Sequence, residues 1–297
     1  MKTSTAVLPP FLVLDRLLQD WLLEDIGRGD RTTQGLLASS TQMGKAQWIA
    51  KEAGIIAGLP IAARVFQLLN EHVKFTALVE EGHWCDVSPE TPTERKPVIA
   101  TLEGPLDALL MGERVAMNLA MRLSGIATMT NKYVAQIADL PAQLVDTRKT
   151  TPGLRILEKY ATQAGGAVNH RMGLDDGVMI KDNHIAAAGG IGHAIAQIRD
   201  RIPYTLTIEV ETETLDQVRE AIDHKADIIM LDNMSLEMMR QAVTIIRDSS
   251  EGTKIEASGN VTLETIRAVA ETGVDYISSS APITRSTWLD LSMKMSS

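Results

Sequence analysis

The middle of the chain carries five side chains whose types and spacing suit an anionic ligand. They are Arg148, Lys149, His170, Arg171 and Lys181. Taken singly, lysines and arginines are mostly solvated surface residues, and that interpretation stays open for each of them. Arginine binds carboxylates and phosphates through paired hydrogen bonds, and lysine acts as a point charge. The group as a whole therefore predicts a ligand with two or more acidic groups.

Three acidic residues further along the chain could complement these cations. In the segment Ile208-Glu209-Val210-Glu211 a β-strand places both glutamates on one face. Glu209 would then lie deep, where an internal ion pair is the alternative to a functional role. Glu211 and Asp232 come at predicted strand ends. We expect those two carboxylates to hold Mg²⁺, which takes one or two carboxylates and fills its other positions with water and substrate oxygens.

Small residues form a third element near the end of the chain. Ser258-Gly259-Asn260 and Ser278-Ser279-Ser280 follow the last two predicted strands. Loops at this place in α/β barrels often bind a phosphate through backbone N–H groups, which small residues allow to approach closely. Together, the three elements favour transfer of a phosphorylated sugar to an acidic acceptor. On spacing alone, a sugar-phosphate isomerase or aldolase remains an alternative.

These side chains need elements that bring them to one place. After residue 140, short β-prone runs end in polar residues, and each run is followed by a helical stretch, which is typical of a parallel sheet with covering helices. No run is followed by the glycine pattern of a dinucleotide-binding sheet, so a closed or nearly closed α/β barrel is predicted. The runs are Gln143–Val145, Val178–Ile180, Leu206–Val210, Ile228–Leu231, Lys254–Ala257 and Tyr276–Ile277.

The N-terminal part has a different, mixed pattern. Apolar spacing predicts helices over residues 12–23 and 60–69, with short strands between residues 43 and 59. Residues 88–97 are rich in proline, threonine and charge, which predicts an exposed loop. Residues 113–129 are apolar on too many sides for a surface helix, so a long buried helix is expected there.

Composition narrows the class of protein. The 297 residues carry a net charge of −9, so the protein as a whole lacks the positive charge that is typical of nucleic-acid-binding proteins. No apolar run approaches the length of a membrane span, and no secretory signal pattern opens the sequence. A single cysteine excludes an internal disulfide framework. We therefore expect a cytoplasmic protein with no nucleic-acid or membrane partner.

Three longer strings match the signature of a known family. They are Asp146-Thr-Arg-Lys-Thr-Thr-Pro-Gly-Leu-Arg155, Gly165-Gly-Ala-Val-Asn-His-Arg-Met-Gly173 and Ile180-Lys-Asp-Asn-His184. Weaker companions include Glu24-Asp-Ile-Gly-Arg-Gly-Asp30, Gly112-Glu-Arg114 and Ala257-Ser-Gly-Asn-Val261. In order and content the chain resembles the quinolinate phosphoribosyltransferases from residue 24 to its final helix.

The resemblance implies a two-domain fold and a reaction. An N-terminal α/β sandwich domain (1–115, joined by 286–297) would accompany an open α/β barrel (116–285). The subunits would form a homodimer or a higher assembly of dimers that shares its active sites. The reaction would join quinolinate to phosphoribosyl pyrophosphate with Mg²⁺, giving nicotinate mononucleotide, pyrophosphate and CO₂ for NAD synthesis.

The resemblance also implies residue roles. Four residues would bind the two carboxylates of quinolinate: Arg148, His170, Arg171 and Lys181. Arg114 would reach the same ligand from the neighbouring subunit, and Lys149 would lie between quinolinate and the pyrophosphate. Glu211 and Asp232 would serve the ribose hydroxyls and Mg²⁺. The 5′-phosphate would lie against Ser258 and Gly259. Ser280 stands where many relatives have glycine, so any phosphate role of that loop would use the N–H and hydroxyl of a serine.

Two other functions stay open at this point. A related phosphoribosyltransferase acting on another acid, such as a relative associated with molybdenum uptake, would share most of these residues. A binding protein that retains the barrel without catalysis is the alternative from another class. A protein that only binds its ligand has no use for two metal-binding acids, Glu211 and Asp232, beside the five cationic residues. Their presence favours the enzyme.

Overall fold

The computed structural model describes residues 6–37, 42–88, 90–92, 95–250 and 252–296. These residues fold into two compact units. The barrel unit comprises Lys132–Arg155 and Ala167–Thr284, and the sandwich unit comprises the residues up to Asn131 together with Ile156–Gly166 and Arg285–Ser297. Three residues of the predicted exposed loop, Pro89, Thr93 and Glu94, lie outside the described residues.

The helices and strands of the described residues have the following bounds. In chain order the helices are α1 (Phe11–Ile26), α2 (Arg31–Leu36), α3 (Leu59–Leu69), α4 (Leu106–Gln136), α5 (Arg155–Ala164), α6 (Asp182–Ala188), α7 (Ile191–Arg199), α8 (Leu215–Asp223), α9 (Leu236–Ser249), α10 (Ile266–Ala270) and α11 (Ala281–Thr284). The strands are β1 (Met43–Ala50), β2 (Gly54–Ile55), β3 (Lys74–Ala77), β4 (Trp84–Cys85), β5 (Val98–Pro105), β6 (Gln143–Val145), β7 (Val178–Ile180), β8 (Ile208–Thr212), β9 (Ile228–Asp232), β10 (Lys254–Ser258), β11 (Tyr276–Ser278) and β12 (Leu291–Ser296).

The sandwich unit is built on an antiparallel sheet with the strand order β12-β1-β5-β3. The last strand of the chain pairs with the first, so the C-terminal residues return to the N-terminal part. Trp48 is fully buried and its ring lies edge-on to Phe75, with centroids 5.4 Å apart. Aromatic pairs of this geometry add to the free energy of burial, so this pair helps to connect β1 and β3, which lie on either side of β5.

The predicted helices of this unit are present and longer than expected. In α1 the buried residues Leu14, Leu18 and Leu22 recur every fourth position, which is the period of an apolar helix face. The outer side of α1 is tied to α3 by Arg64, whose guanidinium donates to both carboxylate oxygens of Asp15 at 2.8 and 2.6 Å. No helix among the described residues is both long and apolar enough to cross a bilayer.

Helix α4 covers 31 residues instead of the expected 113–129. Its middle belongs to the sandwich unit, because Ser124 and Thr128 donate to and accept from the backbone of residues 55–57. Arg122 also binds the fully buried carboxylate of Glu158, on α5, at 2.8 Å. The compact units therefore group residues 116–131 and 156–166 with the sandwich, whereas the predicted domains place them in the barrel.

The barrel unit contains a parallel six-stranded sheet with the order β6-β11-β10-β9-β8-β7. Strands β6 and β7 are consecutive in the chain yet form its two ends, so the strand order runs around a ring that stays open between them. One isolated bridge, Val145 with Val168, lies at that opening. The predicted α/β fold, an open barrel together with an N-terminal α/β domain, is confirmed.

The strand bounds agree with the predicted runs at β6 and β7 and shift elsewhere. Strand β8 begins at Ile208 instead of Leu206, because the N–H of Leu206 bonds back to Pro203 in a turn. The strand also ends later, at Thr212 instead of Val210, so Glu211 lies within it and does not follow it. Strands β9, β10 and β11 each extend one residue further than predicted, to Asp232, Ser258 and Ser278.

Candidate active site

Register places several predicted site residues on one face of the parallel sheet. Asp232 of β9 is paired with Ser258 of β10, and Glu211 of β8 is paired with Met230, two residues before Asp232. Side chains alternate between the two faces of a strand, so Glu211, Asp232 and Ser258 project from the same face. All three lie at the carboxyl ends of their strands, where open α/β sheets bind ligands.

Two arginines of the cationic group lie close to one another. Partial burial and the charge of Arg148 lower the pKa of Arg171, while the charge of Glu209 raises it. Arg148 and Arg171 are therefore near enough for their charges to interact. Two guanidinium groups held close together repel one another, and a ligand with two acidic groups relieves that repulsion.

The backbone around these arginines is held by internal hydrogen bonds. The buried carboxylate of Asp146, directly after β6, accepts the N–H of His170 at 2.9 Å and the side-chain amide of Asn169 at 2.6 Å. Arg155 connects the two cationic segments, donating to Thr150 at 3.1 Å and to the carbonyl of Met172 at 3.2 Å. The segments after β6 and before β7 are thus fixed to one another within the barrel unit.

Lys181 and Glu211 form a close ion pair at the ends of neighbouring strands. The ammonium of Lys181 lies 2.7 Å from Oε2 of Glu211. Lys181 precedes α6, and its backbone N–H donates to the ring of His184, which fixes the start of that helix. The lysine side chain is 43% exposed and the glutamate 15%, so both remain within reach of a ligand.

His170 lies beside two buried carboxylates. Its Nε2 is 3.1 Å from Glu209 on β8 and 3.5 Å from Glu256 on β10. Burial and the negative charge of Glu209 together raise the pKa of Glu256 to about 7, although His170 and the hydroxyl of Ser278 oppose the rise. One oxygen of each carboxylate and a ring nitrogen lie within 4.8 Å of one another. Glu209 thus has an internal partner, His170, and this contact is the ion pair expected as the alternative only when the imidazole is protonated.

The segment after β10 packs tightly against the end of β9. Gly259 has a φ of +103°, which side chains rarely allow, and a Cβ there would lie 2.9 Å from the backbone nitrogen of Asn233. Asn233 itself has a positive φ of 52° and donates its N–H to the carbonyl of Ser258. The side-chain amide of Asn233 donates to Asp232 at 2.7 Å. Only a glycine fits this close approach without strain.

The remaining predicted residues are placed without a shared contact. Lys149 is exposed, and its N–H donates to Thr147 at 3.0 Å. Ser280 is half-buried, and its carbonyl accepts from Ile283 and Thr284 at the start of α11. Arg114 is exposed on α4, in the part that belongs to the sandwich unit.

Two residues of the site have no role in the sequence-based prediction. Glu256 lies inside Lys254–Ala257, a run considered only for its β propensity, although it stands two residues before Ser258 and so on the same face. Asp146 opens the first matching string, yet only the cations after it were given roles. An acid in or directly after an otherwise apolar strand is the signal that points to each of them.

Comparison with known proteins identifies the family of the chain. The chain matches the model of the quinolinate phosphoribosyl transferase N-terminal domain over residues 26–124 and of the C-terminal domain over residues 126–294. A probable nicotinate-nucleotide pyrophosphorylase (carboxylating) of Synechocystis sp. is 58% identical, over 97% of this chain and 94% of that protein. Its counterpart in Bacillus subtilis is 47% identical over 90% and 88%.

Solved structures show the same fold. NadC from Streptococcus pyogenes superposes with a TM-score of 0.90 at 39% identity, covering 98% of this chain and 99% of that one. The nicotinate-nucleotide pyrophosphorylase from Francisella tularensis has a TM-score of 0.88 at 36% identity over the full length of both chains. With both family domains matched in order and the cationic and acidic residues at the strand ends, the chain belongs to the quinolinate phosphoribosyltransferase family.

Proposed function

We propose that this protein transfers the phosphoribosyl group of phosphoribosyl pyrophosphate to quinolinate. The products are nicotinate mononucleotide, pyrophosphate and CO₂, which serve NAD synthesis. The observation that carries the proposal is the placement of Arg148 and Arg171 on two segments that Arg155 joins by hydrogen bonds, where the charge of Arg148 lowers the pKa of Arg171. Quinolinate is a dicarboxylate, and its two negative charges match two neighbouring guanidinium groups.

The roles of individual residues are part of the proposal. Quinolinate would lie against Arg148, Arg171 and Lys181, with His170 at the floor of the site. Lys149 would face the pyrophosphate. Arg114 of a second subunit would complete the quinolinate site, which requires a homodimer or a larger assembly of dimers. The 5′-phosphate would be held at Ser258 and Gly259, with Ser280 nearby.

The chemistry needs positioning more than proton transfer. The lone pair of the pyridine nitrogen forms the bond to the anomeric carbon, and the bonding electrons leave with pyrophosphate. That nitrogen carries no proton, so no general base is required. The cationic side chains hold two anionic reactants together, and orientation of this kind can lower a barrier by about 7–11 kcal/mol.

Decarboxylation follows from the charge of the product. The ring nitrogen becomes cationic once the bond to ribose forms. The bond from the adjacent ring carbon to its carboxylate then breaks, CO₂ leaves, and the electron pair stays on the ring carbon beside the positive nitrogen. A proton from water restores the C–H bond, and the atoms and charges of nicotinate mononucleotide are then complete.

We propose Glu211 and Asp232 as the residues that hold Mg²⁺. They are oxygen donors on adjacent strands and project from the same face, which fits a hard cation that takes few protein ligands. When bound, Mg²⁺ would neutralise the charge of the pyrophosphate leaving group. Lys181, already 2.7 Å from Glu211, would keep that carboxylate oriented before substrate arrives. A cytoplasmic location is part of the proposal.

The experiment is an assay of the purified protein with phosphoribosyl pyrophosphate and Mg²⁺. Quinolinate and nicotinate are supplied in parallel, and nicotinate mononucleotide, pyrophosphate and CO₂ are measured. Turnover of quinolinate with one CO₂ per nucleotide is the expected result. Turnover of neither acid, with phosphoribosyl pyrophosphate bound, would instead favour an enzyme for another acid or a binding protein.

A further inference from the structure

Three side chains of the barrel unit form a group of which the proposed reaction uses only His170, at the floor of the quinolinate site; the two buried glutamates beside it have no role in that reaction. Glu209 and Glu256 come from β8 and β10, and both approach Nε2 of His170, at 3.1 and 3.5 Å. We call these three residues the His170 anchor. The glutamate side chains are 3% and 4% exposed, and the histidine is 15% exposed.

The charges of the three side chains limit which of them carry a proton. Burial and the negative charge of Glu209 favour the protonated form of Glu256 by raising its pKa. Among the residues that the structure describes, Oε1 of Glu209 and Oε1 of Glu256 have no hydrogen-bond partner. An arrangement with one protonated carboxyl group, one carboxylate and a neutral imidazole leaves a single negative charge, which the nearby cation Arg171 balances.

The opposite nitrogen of the same ring holds the backbone. The N–H of Arg171 donates to Nδ1 of His170 at 2.7 Å, so Nδ1 acts as an acceptor and the proton is on Nε2. Asp146 fixes the N–H of His170 itself at 2.9 Å. The imidazole therefore connects the carboxylates of the sheet to the peptide that carries Arg171.

We infer that Glu256 is a positioning residue for the quinolinate site: with Glu209 it fixes the imidazole of His170, and the imidazole fixes the backbone of Arg171. The inference rests on the proposed function for its link to quinolinate. Glu256 touches no reactant in this arrangement, and its effect passes through the ring to the guanidinium. Loss of the anchor should weaken binding of the acid and leave binding of phosphoribosyl pyrophosphate unchanged.

A pair of variants separates hydrogen bonding from volume. Glu256→Gln keeps a donor and an acceptor at nearly the same size, whereas Glu256→Met keeps the size and removes both. We expect the KM for quinolinate to rise at least about tenfold in Glu256→Met and to stay within about threefold of wild type in Glu256→Gln. The KM for phosphoribosyl pyrophosphate should change less than about twofold in both. Glu237→Gln, an exposed glutamate on α9, is the control. Equal impairment of both variants, or none in Glu256→Met, overturns the inference.

A second measurement tests the anchor without turnover. The chain has six histidines, and loss of one set of imidazole ¹⁵N signals in His170→Asn assigns those of His170. We expect the neutral tautomer with its proton on Nε2 in wild type and in Glu256→Gln, and a changed signal in Glu256→Met. A proton on Nδ1 in wild type, or His170 signals that move on titration with Zn²⁺ or Mn²⁺, would overturn the inference, the latter in favour of a metal site. Failure of quinolinate turnover in wild type sinks the proposed function alone, because this readout needs no substrate.

Discussion

Two acids on one strand illustrate how depth decides the role of a side chain. Glu209 and Glu211 are two residues apart on β8 and share a face. Glu211 pairs with Lys181, a side chain that is 43% exposed, whereas Glu209 is buried against His170. Both acids have a partner within the protein, but solvent still reaches the pair of the outer acid, whereas the carboxylate of the inner acid is only 3% exposed.

The same contrast separates the cations. Lys181 and Lys149 extend toward solvent, while Arg171 is partly buried and bound through its guanidinium to the carbonyl of Gly177 at 2.7 Å. Water keeps a cation at the surface charged, whereas a partly buried cation needs nearby acids. Glu209 supplies that negative charge to Arg171. We call Glu209, Glu256 and His170 the buried layer, and Arg148, Lys181, Glu211 and Asp232 at the strand ends the outer layer.

The largest expected effect comes from the outer layer. Arg148→Ala removes one of the two neighbouring guanidinium groups, and we expect a loss of about 2–5 kcal/mol in quinolinate binding if the contact is desolvated. Calorimetric titration measures it, and an unchanged melting temperature shows that the fold is retained. Arg199→Ala, at an exposed ion pair in the same unit, should bind quinolinate as wild type does. Normal affinity in Arg148→Ala would rule out its assignment.

The next effect tests the buried layer through pH. The pKa of Glu256 is raised from 4.5 to about 7 in the folded protein, so its contribution to stability is present below about pH 4.5 and is lost as the pH rises through 7. Glu256→Gln does not titrate. Between about pH 4.5 and 8 the unfolding free energy of the variant should therefore gain roughly 3 kcal/mol relative to wild type. Chemical denaturation at several pH values measures this difference, and parallel curves would contradict it.

A smaller effect is expected at Gly259, in the loop that we propose holds the 5′-phosphate. Gly259→Ala forces a side chain into a φ of +103° and against the backbone of Asn233, at a cost of about 1–3 kcal/mol. We expect the KM for phosphoribosyl pyrophosphate to rise and quinolinate binding to stay normal. Gly252→Ala is the matched control, since a Cβ there meets nothing within 4 Å. If both glycine variants behave alike in the assay, the loop does not hold the 5′-phosphate.

The smallest effect on stability is expected from the outer acid. Glu211→Gln breaks an ion pair that solvent still reaches, so the free energy of unfolding should fall by less than about 1 kcal/mol. Activity should nevertheless drop and require more Mg²⁺ to recover, because we propose that this carboxylate holds the metal. An Mg²⁺ titration of the rate measures this. A large loss of stability with a normal Mg²⁺ dependence of the rate would show that Glu211 has a structural role and does not hold the metal.

The sequence predicted the residues of the outer layer better than those of the buried layer. Polar residues after β-prone runs locate strand ends, so the local pattern alone assigns Arg148, Lys181 and Asp232 to one edge of the sheet. The buried layer depends on contacts between segments that are far apart in sequence. Nothing in the sequence around Glu256 shows which residues it contacts, because its partners lie on β8 and in the segment of His170. Similarly, α4 extends beyond the predicted 113–129 because packing of its flanks, not local periodicity, decides where it begins and ends.

The central claim is that Arg148 and the cationic side chains near it recognise the second carboxylate of quinolinate. The most direct test is to compare binding of quinolinate and nicotinate, which has one carboxylate fewer, to the wild-type protein and to Arg148→Ala. We expect wild type to prefer quinolinate by a factor on the order of 100, corresponding to a few kcal/mol, and Arg148→Ala to lose most of that preference. Equal affinity of wild type for the two acids, or the same preference in both proteins, would contradict the claim.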